Sequence, residues 1–204
     1  GKLHDVSTID SYKVGREVLS SIINECESKK IKCVSCYAFS TDNFKRSDKE
    51  INAVFNVVEN FCDDILKNGT NWKIIFTGNK MLLPKSLQKI IDNVENKTSQ
   101  NKSIIVNIAL GYGSHEEILT AANLSIRDNK INKSTFESHL YTSNLPPLDL
   151  IIRTGGERRL SNFMLYQAAY SEIFFIDELW CDFNISHLNE ILEKYNTTQQ
   201  NFGK

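Results

Sequence analysis

The segment LDLIIRTGGERRLSNF, residues 148–163, sets Arg153, Arg158 and Arg159 around the pair Gly155-Gly156 and just ahead of Ser161. Planar guanidinium forks match phosphate oxygens, and each charge-assisted hydrogen bond contributes about 1.5–3 kcal/mol. The glycines admit positive φ and let backbone N–H groups approach a ligand closely. Ser161 stands at the N-cap of an expected helix, whose N-terminus adds partial positive charge. This is the chemistry of an anion site. A purely structural role would pair the arginines with acids such as Glu157 or Asp149. One glutamate cannot neutralise three arginines, however, and the glycine pair has no purpose in that reading.

A second stretch, FSTDNFKR at 39–46, offers donors from Ser40, Asn43 and Arg46 and an apolar plate from Phe44. By spacing alone it reads equally well as a plain surface loop. Glu172, in QAAYSEIFF, directly precedes an apolar run. It is either a solvated strand end or an oxygen ligand for Mg²⁺, the hard ion that accompanies diphosphates. No G-x-x-x-x-G-K-[ST] and no G-x-G-x-x-G occurs, so nucleoside triphosphate and dinucleotide readings lack their motifs.

Positioning these loops takes alternating elements. Val14, Val18, Ile22, Ile23 and Cys26 mark a first amphipathic helix, and residues 31–39 a strand. Ser47-Asp48-Lys49-Glu50 is a capping box ahead of Ile51, Val54, Phe55, Val58, Phe61, Cys62 and Ile65 at helical spacing. A strand at WKIIFTG, a helix after Pro84, a strand at SIIVNIAL and two helical stretches over 114–141 follow. Beyond Pro146-Pro147 come the strand LDLIIRT, a helix from Ser161, the strand IFFID and a last helix near Leu188–Tyr195. Strands separated by helices predict an α/β fold, a single domain over 1–204 with an open, mainly parallel sheet flanked by helices. Ligands of such sheets sit beyond the carboxyl ends of the strands, where both unusual loops fall.

The 204 residues carry 24 Lys+Arg against 25 Asp+Glu, so no basic field favours nucleic acid, and any anion site must be local. No apolar run reaches membrane-spanning length, and the opening residues GKLHDVSTID have no signal-peptide character. Five cysteines in a domain of this size fit a reducing compartment. Cys33 and Cys36 form C-x-x-C, but inside a strand positions three apart face opposite ways, which disfavours a redox pair.

Together these segments resemble cis-prenyltransferases of the undecaprenyl or dehydrodolichyl diphosphate synthase family. The resemblance runs from YKVG to the terminal NFG. It is most specific in YAFSTDNFKR, in DLIIRTGGERRLSNFMLYQAAYSEIFF and in LWCDF. It implies condensation of isopentenyl diphosphate with an allylic diphosphate, typically farnesyl diphosphate, to a Z-polyprenyl diphosphate. It further implies Mg²⁺ as cofactor, a homodimer, and an apolar tunnel walled by the sheet and by helices such as that over 51–66. By resemblance Arg153, Arg159 and Ser161, with Gly155 and Gly156, bind isopentenyl diphosphate, and Glu172 is the metal-associated acid. Ser40 and Asn43 are then catalytic, and with Phe44 and Arg46 they form a closing segment. A lipid product implies work in the cytoplasm at a membrane face such as that of the endoplasmic reticulum. The alternative is a non-catalytic scaffold subunit of a heteromeric enzyme.

The chain also departs from the family pattern. The expected first strand and D-G-N-x-R loop, source of the principal aspartate ligand, are absent, and Asp5 and Asp10 stand in other contexts. A preceding segment that supplies them is therefore expected. The family's G-H-K-x-G reads Ser11-Tyr12-Lys13-Val14-Gly15, with Thr8 near the place of an expected arginine. The terminal R-x-G reads Asn201-Phe202-Gly203, so a cation is missing there, and Lys204 or a residue beyond it is expected to substitute.

Overall fold

A computed structural model describes residues 8–129 and 131–198, with side chains described from Ser11 onward. The side chains of Thr8 and Asp10, and residues Asp5, Asn201-Phe202-Gly203 and Lys204, lie outside that description. The elements run α1 (Thr8–Ser28), β1 (Cys33–Ser40), α2 (Asp48–Asn68), β2 (Lys73–Thr77), α3 (Lys85–Thr98) and β3 (Ile105–Tyr112). They continue as α4 (Ser114–Arg127), α5 (Lys133–Ser138), β4 (Leu150–Arg153), β5 (Glu172–Phe175) and α6 (Ile185–Thr197). This is the α/β alternation that the hydrophobic periodicity predicts.

α2 shows how sequence becomes packing. The Ser47 hydroxyl accepts the Glu50 N–H at 3.4 Å and donates to the Glu50 carboxylate at 2.8 Å, closing the first turn. Val54, Phe55, Val58, Phe61, Cys62 and Ile65 are buried along one stripe. Gly69, at φ +76°, ends the helix with its N–H on the Ile65 carbonyl. β3 is covered on both faces: Val106, Ile108 and Leu110 join a large cluster with α1, α2, α3 and α6, while Ala109 joins a smaller one with Tyr112, Met164, Tyr37 and Phe163. Such two-sided burial is why residues 104–110 are apolar at successive positions, interrupted only by the buried Asn107.

Every strand pairing is parallel, as expected, but the strands form two blocks, β1-β3-β2 and β4-β5, rather than one sheet. A cavity of about 1060 Å³ separates them, lined without a break by residues 31–38 along β1 and 145–154 along β4. It also receives Leu19 and Ile22 from α1, Val54 and Val57 from α2, and Met164 from the opposite face. It therefore opens toward both faces of the sheet.

The expected helix from Ser161 does not form. Ser161, Asn162 and Met164 hold φ of +49°, +64° and +45°, and only a short 3₁₀ turn at Gln167–Tyr170 follows. A left-handed backbone cannot enter an α-helix, so Ser161 is a turn residue and not an N-cap.

Candidate active site

β4 delivers Arg153 at its carboxyl end, paired in register with Phe175 of β5. Gly155 and Gly156 then turn at φ +89° and +74°. Their N–H groups donate to the carbonyls of Glu178, at 2.7 Å, and Ile176, at 2.9 Å. The glycines thus serve the turn itself, and their N–H groups are occupied rather than presented to a ligand. Arg153 lines the cavity, and its Nε is buried without a hydrogen-bond partner. Arg159 pairs with Glu157, as the structural reading of the arginines anticipates for that one residue. Both members are exposed, at 63% and 49%, so water screens the pair and a diphosphate can displace the acid.

Tyr37 joins β1 to the turn after the arginines. Its ring stacks on Phe163 at 4.5 Å, and its hydroxyl donates to the Tyr112 carbonyl at 3.1 Å and more weakly to that of Ser161 at 3.5 Å. Burial pushes the Tyr37 phenol up to about 12, so it stays a donor well into the alkaline range.

At the end of β1 the chain enters a 3₁₀ helix, Thr41–Lys45. The Ser40 hydroxyl accepts the Asn43 N–H at 3.2 Å, and the Asn43 amide oxygen accepts the Ser40 N–H at 3.1 Å. The usual signature, serine followed by glutamate or glutamine, does not reveal this reciprocal cap, because asparagine takes the acid's place. Phe44 packs edge-on against Phe39 at 4.9 Å and near Phe55 at 6.3 Å, so its ring belongs to the core rather than to an open plate. Arg46 is exposed. The two loops meet at Gly113: a Cβ there would lie 2.6 Å from the Thr41 hydroxyl and 2.9 Å from the Asn162 amide nitrogen.

Glu172 does not join them. The register sets it beside Leu150, three residues back along β5 from the level of Arg153. At about 3.3 Å per residue that is on the order of 10 Å away. No three Asp, Glu, His or Cys side chains converge to hold a metal ion among the described residues. Mg²⁺ needs only one or two protein carboxylates beside diphosphate oxygens, and Glu172 is the described acid that the resemblance assigns to it.

One buried acid escaped the sequence reading. Glu117, fully buried, accepts from the Tyr112 hydroxyl at 2.5 Å and the Gln167 amide at 3.0 Å, with Thr142 contributing longer contacts. It ties β3 to the 140–148 loop and to the chain beyond the arginine turn. Nothing in the run His115-Glu116-Glu117 distinguishes the buried acid from its exposed neighbour.

A cation on the wall of a largely apolar cavity can hold a diphosphate whose hydrocarbon portion enters the protein. Residues 2–203 match the family described as "Putative undecaprenyl diphosphate synthase". The chain belongs to this family. An isoprenyl transferase of Leptospira interrogans is 37% identical over 97% of the chain and 86% of the relative. A tritrans,polycis-undecaprenyl-diphosphate synthase (geranylgeranyl-diphosphate specific) of Thermoplasma volcanium is 37% identical over 96% of the chain and 80% of its own length. Among solved structures, lavandulyl diphosphate synthase from Lavandula x intermedia, in complex with dimethylallyl diphosphate, superposes with a TM-score of 0.92 at 29% identity. That match covers 100% of this chain and 92% of the other. A probable undecaprenyl diphosphate synthase from Campylobacter jejuni gives 0.85 at 29% identity, covering 94% and 93%. This cis-prenyltransferase condenses isopentenyl diphosphate with an allylic prenyl diphosphate, and the likeness does not support the scaffold-subunit alternative.

Proposed function

We propose that this cis-prenyltransferase holds isopentenyl diphosphate at the arginine turn, through Arg153, Arg159 and Ser161, and builds a Z-polyprenyl diphosphate on farnesyl diphosphate. The observation that carries the reading is Arg153: a cation on the cavity wall whose buried Nε has no hydrogen-bond partner. A buried, unpartnered guanidinium nitrogen is costly, and a phosphate oxygen answers it.

The reaction breaks the allylic C–O bond, and the diphosphate leaves with the electron pair. The isopentenyl double bond supplies the electrons of the new C–C bond, and a proton then departs from the isopentenyl unit. Arg153 and Arg159 fix one reactant by its diphosphate, so the residues contribute chiefly positioning and charge stabilisation. Ser40 and Asn43 cap the segment that closes over the reactants, with Phe44 as its apolar anchor and Arg46 as an exposed cation at its end. Gly155 and Gly156 shape the turn that aims Arg153. Mg²⁺ belongs to this proposal as an ion carried by the diphosphates, and no step is routed through Glu172.

The apolar side of the cavity, between α1 and α2, receives the growing chain, since each CH₂ leaving water gains about 0.8 kcal/mol. The space between β1 and β4 seats a further parallel strand with the phosphate loop that the resemblance implies. Two edges facing each other along 31–38 and 145–154 support that reading. Homodimeric assembly and action at a cytoplasmic membrane face complete it. No helix among the described residues is long and apolar enough to cross a membrane.

The test is steady-state kinetics of full-length protein with farnesyl diphosphate and labelled isopentenyl diphosphate. Arg153→Ala is expected to raise the isopentenyl diphosphate KM about tenfold or more, the loss of one strong charge-assisted contact. An unchanged KM would remove the assignment.

A further inference from the structure

We propose that Asn162 is the positioning residue that holds the arginine turn in its binding shape, acting as a borrowed N-cap for α4. The inference rests on the reading that this turn takes the isopentenyl diphosphate.

α4 begins without a cap of its own, because Gly113 precedes it and has no side chain to offer. Asn162, distant in sequence, fills the role. Its carbonyl accepts the Ser114 N–H at 2.8 Å, and its side-chain oxygen accepts the His115 N–H at 2.9 Å. Two of the orphan donors of the helix are thereby satisfied from another segment. The Asn162 amide nitrogen donates to the Glu116 carboxylate at 3.2 Å. The buried Ser114 hydroxyl returns the connection by accepting the Leu165 N–H at 3.0 Å.

These bonds hold a backbone that does not stand by itself. Ser161, Asn162 and Met164 all have positive φ, and none is glycine. Such residues persist only where the surroundings over-determine them, and asparagine tolerates the conformation better than most. The strained turn is what exposes Ser161, and it begins directly after Arg159 and Leu160. Gly113 completes the arrangement by having no Cβ: one would collide with the Glu116 carboxylate and press between Thr41 and Asn162. The bonds of Asn162 run to Ser114, His115 and Glu116 of α4, so its effect reaches chemistry through the turn.

The test measures both KM values and kcat of the full-length enzyme for Asn162→Ala, Asn162→Asp and the exchange pair Glu116→Gln with Asn162→Asp, beside Arg153→Ala. Asn162→Ala is expected to raise the isopentenyl diphosphate KM at least tenfold while the allylic KM stays within about twofold. Asn162→Asp keeps the acceptor for the His115 N–H but sets two carboxylates together. The exchange pair restores an amide donor, now supplied from the α4 side of the contact by Glu116→Gln. It is expected to recover the isopentenyl diphosphate KM to within about threefold of wild type. If Arg153→Ala alone raises that KM and the Asn162 variants do not, this inference falls while the site reading stands. If Arg153→Ala leaves it unchanged, the site reading itself fails. Should Asn162→Ala not fold, the exchange pair decides: failure to recover the KM relative to Asn162→Asp would overturn the proposal.

Discussion

Arg153 and Arg159 carry the same charge in different settings. Arg153 is half-buried on the cavity wall with an unsatisfied Nε, whereas Arg159 leans on Glu157 in solvent. An exposed ion pair is worth about 0–1 kcal/mol, so Arg159→Ala and Glu157→Ala are both expected to leave the denaturation midpoint nearly unchanged. Their kinetics should diverge: Arg159→Ala raises the isopentenyl diphosphate KM, and Glu157→Ala, which only frees the cation, does not. Chemical denaturation and initial rates on the same two variants check this, and a large stability loss in either would show the pair to be structural. The arginines were legible in the sequence because their number exceeds the nearby acids. That one of them would be neutralised and the other not depends on how the turn is wound, which spacing does not reveal.

At the scale of elements, strand ends and tight turns set the geometry. Gly78 follows β2 at φ +127°, and a Cβ there would run into the Leu110 carbonyl oxygen of β3. Gly78→Ala is therefore expected to destabilise the protein by about 2–3 kcal/mol, read as a lowered urea midpoint; a neutral result would mean that the β2–β3 edge yields easily. The C-x-x-C of β1 belongs to this scale as well. Burial pushes Cys33 and Cys36 from 9.0 up to about 11, and all five cysteines are free thiols. The thiolate is the reactive species, so iodoacetamide at mildly alkaline pH should label both slowly in the native protein and rapidly once it is unfolded. Both are only half-buried along the cavity wall, so fast native labelling would show that the raised pKa does not protect them. Periodicity found α2, α3, α4 and the strands because each buries one stripe or two faces. It misread 161–165, where tertiary bonds from α4 stabilise a backbone that local preference rejects.

For the whole molecule, the cavity and the thiols with raised pKa give two further expectations. Val57 lines the cavity from α2 and is only half-buried, so it projects into space rather than into packed core. Val57→Trp should shorten the prenyl product, as measured by chromatography of the extracted chains, with little change in turnover of the first condensation. An unaltered length distribution would show that the chain runs elsewhere. Cys26, Cys33, Cys36 and Cys62 are all raised from 9.0, to about 11 or 12. A thiol raised in the folded state keeps its proton while the unfolded thiol loses it. Stability is thus unaffected below pH 9.0 and falls as pH climbs from there toward about 11. Denaturation midpoints across that range should decline more steeply for wild type than for Cys36→Ala; parallel curves would refute the linkage.

The sequence by itself determined the α/β order, the parallel pairing, the cluster of cations at 153–159 and the family. Each is written in local composition and spacing: apolar period, caps, and a surplus of arginine beside glycine. Only the tertiary structure decided that the strands form two blocks around a cavity, that the glycine N–H groups are already bonded, and that Glu172 lies level with Leu150 rather than with Arg153. It also decided that Asn162 caps a helix that begins far earlier in the chain, at Ser114. These depend on register and on contacts between distant segments, and a side chain's neighbours across space leave no mark on its neighbours along the chain.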